Sequence, residues 1–193
     1  MIAQKIESTF RPLAICVGLL FVATAMYEMP LEDRLASYPR HAVGTHLIAY
    51  DWKGATVGDL LRAQTKPFPR GEMVEMSGPP LVLTPNAVQY LGIAFHELAT
   101  NSAKYGVLSG EKGKIAVRWG ITGAGASGLF HLTWAETDGP EVQAIGHGGF
   151  GTVVLKRVAP AAINGQGNLD YGRNGVTWSL EAPLASVQAS GGE

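Results

Sequence analysis

His96-Glu97-Leu98-Ala99-Thr100-Asn101-Ser102-Ala103-Lys104-Tyr105-Gly106 decides how this chain is read, because it sets a carboxylate, a carboxamide and a cation along one helical stripe. Glu97 and Asn101 are one turn apart and Lys104 follows a turn later, so at 3.6 residues per turn their side chains project from one face. Thr84 is placed to act as N-cap with Pro85 at the first helical position, and Gly106 marks the stop. Ala87, Val88, Leu91, Ala94, Phe95 and Leu98 form the apolar stripe that buries the opposite side. Glu, Asn and Lys are also ordinary residues on a solvated helix surface, so the helix alone leaves that plainer reading open. If the face is functional, oxygen ligands beside an ammonium suit a magnesium-bound polyphosphate.

Downstream residues favour the functional reading. Lys114–Ile121 alternates, with Ile115, Val117, Trp119 and Ile121 on one face, and Leu129–Glu136 alternates with Phe130, Leu132, Trp134 and Glu136 on one face. Both runs predict half-buried strands. Glu136 thus shares the face of a buried tryptophan, where an unmet carboxylate costs several kcal/mol. An amino group on a ligand base is one donor that would satisfy it. Gly146-His147-Gly148-Gly149-Phe150-Gly151-Thr152 then precedes the helix-like Val153–Val158, an arrangement that lets backbone N–H groups approach an anion. The residues before it read as a loop and not as a parallel strand, which argues against a dinucleotide-binding turn. Asn168–Tyr171 and Val176–Ala182 read as a closing pair of strands around an Asn174-Gly175 turn, with Trp119, Trp134 and Trp178 mainly core.

The order His96-Glu97, Asn101, Lys104-Tyr105-Gly106, then Trp134-Ala135-Glu136, then Gly149-Phe150-Gly151-Thr152 resembles the HWE family of bacterial sensor histidine kinases. The resemblance runs over roughly Arg34–Pro183 and implies the two-layer α/β sandwich of the wider ATPase group that includes DNA gyrase. It implies Asn101 as the Mg²⁺ ligand, Glu97 as the residue that orders a metal-bound water or assists proton transfer, and Lys104 on phosphate. Tyr105 would line the nucleotide pocket, Glu136 would receive the adenine amino group, and Gly149, Gly151 and Thr152 would cradle phosphates. His96 is as well explained as a packed, hydrogen-bonded orienter. Asp138-Gly139 stands where the family has two glycines, so Asp138 could compete with Glu136 for the base or repel the phosphates. Pro140–Gly148 reads as a mobile cover over the pocket.

By this resemblance the expected activity is that of an ATP-dependent protein histidine kinase of a two-component system. ATP and Mg²⁺ are its cofactors, a homodimer its assembly and a response regulator receiver domain its partner. The alternative is a degenerate nucleotide-binding or phosphotransfer regulator without autophosphorylation. Family members carry a His-Arg-x-x-Asn type box, and none occurs in Met1–Tyr50, where only His41 and His46 stand. No phosphoacceptor is therefore assigned.

The uncharged run Pro12–Tyr27, with Lys5 and Arg11 before it and Ala23-Thr24-Ala25 within it, has the outline of a secretory signal. It is short of the about twenty apolar residues of a membrane span, and export would contradict an ATP site. The preferred reading is a buried dimerisation helix, then a membrane anchor, with secretion last. The expected location is cytoplasmic, membrane-associated if the run is an anchor. The expected domains are a helical region over 1–62, an ATP-binding domain over 63–185 and a loose tail over 186–193.

Composition fits this picture. The 193 residues are 46% hydrophobic, enough for one ordinary core. The single cysteine, Cys16, excludes an internal disulfide, and no Cys/His cluster suggests structural zinc. A net charge of -1 leaves no basic footprint for nucleic acid.

Overall fold

A computed structural model of the protein describes residues 55–123, 125–141, 149–173 and 175–190. All of them fall in the second of two compact units, Val43–Glu193. The run at 12–27, the two early histidines and the cover at 142–148 lie outside the described residues. Among the described residues no helix is long and apolar enough to cross a membrane.

Helix α1 (Val57–Thr65) starts at a capping box, in which Thr56 Oγ1 accepts from Asp59 N–H and the Asp59 side chain accepts from the Thr56 backbone. Its Val57 and Leu61 are fully buried. The helix is therefore continuous with the core, and the boundary expected at residue 62 falls inside it. A short edge strand β1 (Glu75–Ser77) follows, which alternation does not reveal at that length. Helix α2 (Pro85–Tyr105) then runs for 21 residues with Thr84 capping Ala87 N–H and Pro85 at its first position, as the sequence predicts. Every member of its expected apolar stripe is buried.

Strands β2 (Lys114–Thr122), β3 (Leu129–Thr137), β4 (Gln166–Gly172) and β5 (Gly175–Pro183) complete a five-stranded sheet in the order β1-β2-β3-β5-β4. Only β1 and β2 pair in parallel. One row crosses the sheet from Val117 through Trp134 and Trp178 to Leu169, and all four are buried. Phe95 of α2 meets Trp178 edge-on at 6.4 Å, which fixes helix against sheet. This is the expected α/β sandwich. Burial fades along β2, however: Trp119 is only half-buried, its indole N–H donating to Pro79 O at 2.8 Å, and Ile121 is 36% exposed. The β1 register ends at Arg118, so among the described residues the rest of β2 has no paired strand on that side.

Two further expectations change. Gly175, assigned to the turn, already belongs to β5 and pairs with Gly172. It is glycine for a packing reason, because a Cβ there would collide with the Glu136 carbonyl oxygen. The tail is not loose over its first residues. Val187 is fully buried, Thr84 N–H donates to Val187 O at 2.8 Å, and Ala189 N–H donates to Val82 O at 2.9 Å. Backbone groups in this segment find their partners on the chain just before α2.

The helix after Gly149 is also more particular than its apolar pattern suggests. It comprises α3 (Phe150–Val153), a π-helical turn (Val154–Val158) and α4 (Ala159–Ala162). Pro160 has no N–H to give to a carbonyl in the preceding turn. Leu155 O instead accepts from Trp178 Nε1 at 2.9 Å, so a core tryptophan fills the gap in the helix ladder.

Candidate active site

The second half of α2 carries the expected stripe. Glu97 is half-buried, whereas Asn101, Lys104 and Tyr105 are exposed. Facing it is the glycine turn. A Cβ on Gly151 would lie 2.8 Å from Glu97 Oε2 and 3.3 Å from Asn101 Nδ2. A side chain at 151 would thus push Glu97 Oε2 aside and crowd Asn101 Nδ2. Among the described residues nothing lies within 4 Å of a Cβ position at Gly149, the N-cap of α3. The Thr152 N–H is already used, donating to Gly149 O at 3.0 Å. The chain therefore brings Glu97, Asn101 and Gly151 together from segments some fifty residues apart.

His96 points away from this face. Its Nδ1 lies 3.3 Å from Gln64 Oε1 of α1, which matches the orienting role. Burial lowers its pKa below the ordinary histidine value, the Glu97 charge opposes that shift, and the Lys104 charge adds to it. The folded state accordingly binds fewer protons than the unfolded chain once pH drops towards 6.5, and stability falls from there downward through the folded-state pKa. Urea melts should show the domain weaker at pH 5.5 than at pH 7.5. A His96→Gln variant should flatten that difference; an equal slope in both proteins would contradict the assignment.

Glu136 is 5% exposed at the end of β3, as its strand phase predicts. Its donors, though, come from the protein. Oε2 accepts from Ser102 Oγ at 3.0 Å and from Val107 N–H at 3.0 Å, and Oε1 accepts from Trp134 Nε1 at 3.1 Å. The expected ligand amino group is not needed to satisfy this carboxylate. Gly106 also has a different reason from a left-handed cap: its φ is -113°, and a Cβ there would collide with Glu136 Oε2. Asp138 sits exposed two residues on with φ 56°, a left-handed conformation that glycine adopts more easily. Gly139 is half-buried beside it.

Two residues escaped the sequence reading. Ser102 is 2% exposed, and its position on the buried stripe of α2 was the available sign of an internal partner. Arg70 left no such sign. With φ 63°, its Nη1 donates to Val107 O at 2.9 Å, Gly110 O at 2.9 Å and Lys112 O at 3.1 Å, and its Nη2 donates to Gly113 O at 3.1 Å. One guanidinium thus gathers the loop that leaves α2.

No protein-family model matches the chain. The chain is 34% identical over 140 residues to the blue-light-activated histidine kinase of Brucella ovis, covering 72% of this chain and 29% of that protein. It is 30% identical over 142 residues to the protein of the same name from Brucella anthropi, with the same coverage. The described domain is thus similar in sequence to part of these histidine kinases. The chain spans less than a third of the length of these curated relatives. The blue-light-activated histidine kinase EL346 of Erythrobacter litoralis shares the fold, with a TM-score of 0.53 at 16% identity over 67% of this chain and 41% of that one. In this chain the sandwich places the glycine turn against the asparagine-bearing helix, so segments that are far apart in sequence form one wall.

Proposed function

We propose that the chain binds Mg²⁺-ATP and acts as the catalytic part of a protein histidine kinase of the HWE type, its γ-phosphoryl group passing to histidine and on to a response regulator receiver domain. The observation that carries this reading is the approach of Gly151 to Glu97 and Asn101, where a Cβ would lie 2.8 Å from Glu97 Oε2 and 3.3 Å from Asn101 Nδ2; this brings the glycine turn against the polar stripe. The donor set suits magnesium: the exposed Asn101 carboxamide offers one hard oxygen and would share the ion with phosphate oxygens and water. When bound, the metal neutralises phosphate charge.

The protein's own groups do the rest. Glu97 holds a water or takes the proton of the attacking imidazole, Lys104 places an ammonium on phosphate, and Tyr105 offers a ring to the base. Gly149 gives the phosphates close access to backbone. With Glu136 at the end of β3, the turn Asp138-Gly139 falls to the base edge. The acceptor is a histidine of the kinase itself, of its dimer mate or of a partner protein. Dimerisation, and any membrane contact through 12–27, belong to residues outside the described ones.

Incubation with radiolabelled ATP, with and without candidate receiver domains, tests the reading. Label that is lost in acid and moves to a receiver aspartate is the expected result, since phosphohistidine is acid-labile. Acid-stable label would indicate a hydroxyl acceptor. Nucleotide binding with no label in any mixture would favour the regulator that has lost turnover.

A further inference from the structure

The geometry points to Arg70 as a positioning residue that sets the base end of the nucleotide site through the loop after α2; this rests on the nucleotide-binding reading above. The guanidinium holds the carbonyls of Val107, Gly110, Lys112 and Gly113, which span that loop. What matters is where the loop lies. Gly113 stands beside the end of β3, where a Cβ would be 2.9 Å from Thr137 O and 3.1 Å from the carbonyl carbon of Asp138. Gly110 faces Pro140, with a Cβ position 3.8 Å from Pro140 Cγ. Val107 N–H, at the start of the loop, donates to Glu136 Oε2. The loop therefore meets the chain on both sides of the Asp138-Gly139 turn and at Glu136 itself.

Asp138 needs such a bed. At φ 56° it holds a left-handed conformation, which a residue other than glycine keeps when its surroundings hold it there. Arg70 is braced in turn from the other side. Phe68 N–H donates to Thr65 O at 3.0 Å, Gly71 N–H donates to Phe68 O at 3.0 Å, and Gly71 packs so closely on Thr65 O that a Cβ would collide with it. This brace keeps Arg70 at its own left-handed φ of 63°. The last turn of α1, the guanidinium, the loop and the turn after β3 thus form one chain of contacts. A planar fork of donors holds several carbonyls at set spacing, as a point charge does not. Without it the loop carbonyls turn to water and the base end of the site loses its set position, while Asn101 on α2 and Gly151 on α3 keep theirs.

Calorimetric titration of the full chain with Mg²⁺-ATP and with the Mg²⁺ complex of purine riboside triphosphate, which lacks the 6-amino group, isolates the base end. The wild type should bind ATP about tenfold more tightly than the analogue. Arg70→Ala, read at a temperature where circular dichroism shows both proteins folded, should shrink that ratio to about twofold or less, chiefly by weakening ATP. A merely structural role would leave the ratio as it is, because a partly unfolded population weakens both ligands by one factor. An unaltered ratio in Arg70→Ala, with or without a shared loss of affinity, therefore overturns the inference. Arg70→Gln keeps two N–H donors and should give an intermediate ratio. Should Arg70→Ala fail to fold, Arg70→Gln decides alone: a ratio below about fivefold upholds the inference, and the wild-type ratio overturns it. A wild-type chain that binds both ligands equally also overturns it and leaves nucleotide binding standing. One that binds neither removes the nucleotide-binding reading itself, and this inference with it.

Discussion

Asn101→Ala should weaken Mg²⁺-ATP binding by about tenfold or more, roughly 1.4 kcal/mol, and slow phosphoryl transfer by about a hundredfold. The carboxamide is exposed, so its removal opens no cavity, and the thermal midpoint should stay close to wild type. The loss then reports ligand chemistry and not folding. Gly151→Ala approaches the same groups from the opposite wall, its methyl forcing Glu97 Oε2 and Asn101 Nδ2 to give way. It should reproduce the binding defect with Asn101 still present. Unchanged calorimetric affinity in Asn101→Ala would sink the assignment of the metal ligand.

Arg70→Ala carries the largest expected effect on stability. Four backbone carbonyls between Val107 and Gly113 depend on one guanidinium. Charge-assisted bonds of this kind net more than neutral ones, and with the side chain only half-buried the combined loss is about 2–4 kcal/mol. Thermal unfolding should move down by about 8 °C or more. Arg70→Gly separates the two roles of the position: glycine accepts the left-handed backbone without strain, so whatever stability it fails to restore belongs to the guanidinium. Lysine should recover little, because a single ammonium cannot reach all four carbonyls. An alanine variant that melts with the wild type would show that solvent replaces these bonds at no cost.

The contrast between Asn101 and Arg70 shows which parts of the domain were legible in the sequence. Helix α2 could be read from Thr84 to Tyr105 because cap, first-turn proline and apolar period agree within one segment. The phase of β3 could be read as well, and it put Glu136 on the buried face beside Trp134. What could not be read is what meets a residue from elsewhere. Glu136 needed donors, and the sequence left a ligand as their source; they come from Ser102, Val107 and Trp134. Arg70 binds carbonyls, which every residue possesses, so no pattern of side chains announces its partners. Edge strand β1, three residues long, is too short to show a period. Gly175 was assigned to the turn and Gly106 to the stop of α2, where the helix does end, yet both are glycine because Glu136 lies against them.

The pairing of residues 186–189 with 82–84 has a consequence for the order in which the molecule is finished. Thr84 caps the helix that bears Asn101, but its own N–H is held by Val187 O and its hydroxyl donates to Ser186 O at 3.1 Å. During synthesis the cap of α2 emerges 102 residues before Ser186 of the segment that secures it, and β5, which stands between β3 and β4, also arrives late. Contacts of such long range are slow to close. The nascent polar stripe is therefore complete in sequence well before its helix is anchored, and the ribosome must release nearly the whole domain before the site acquires its final rigidity.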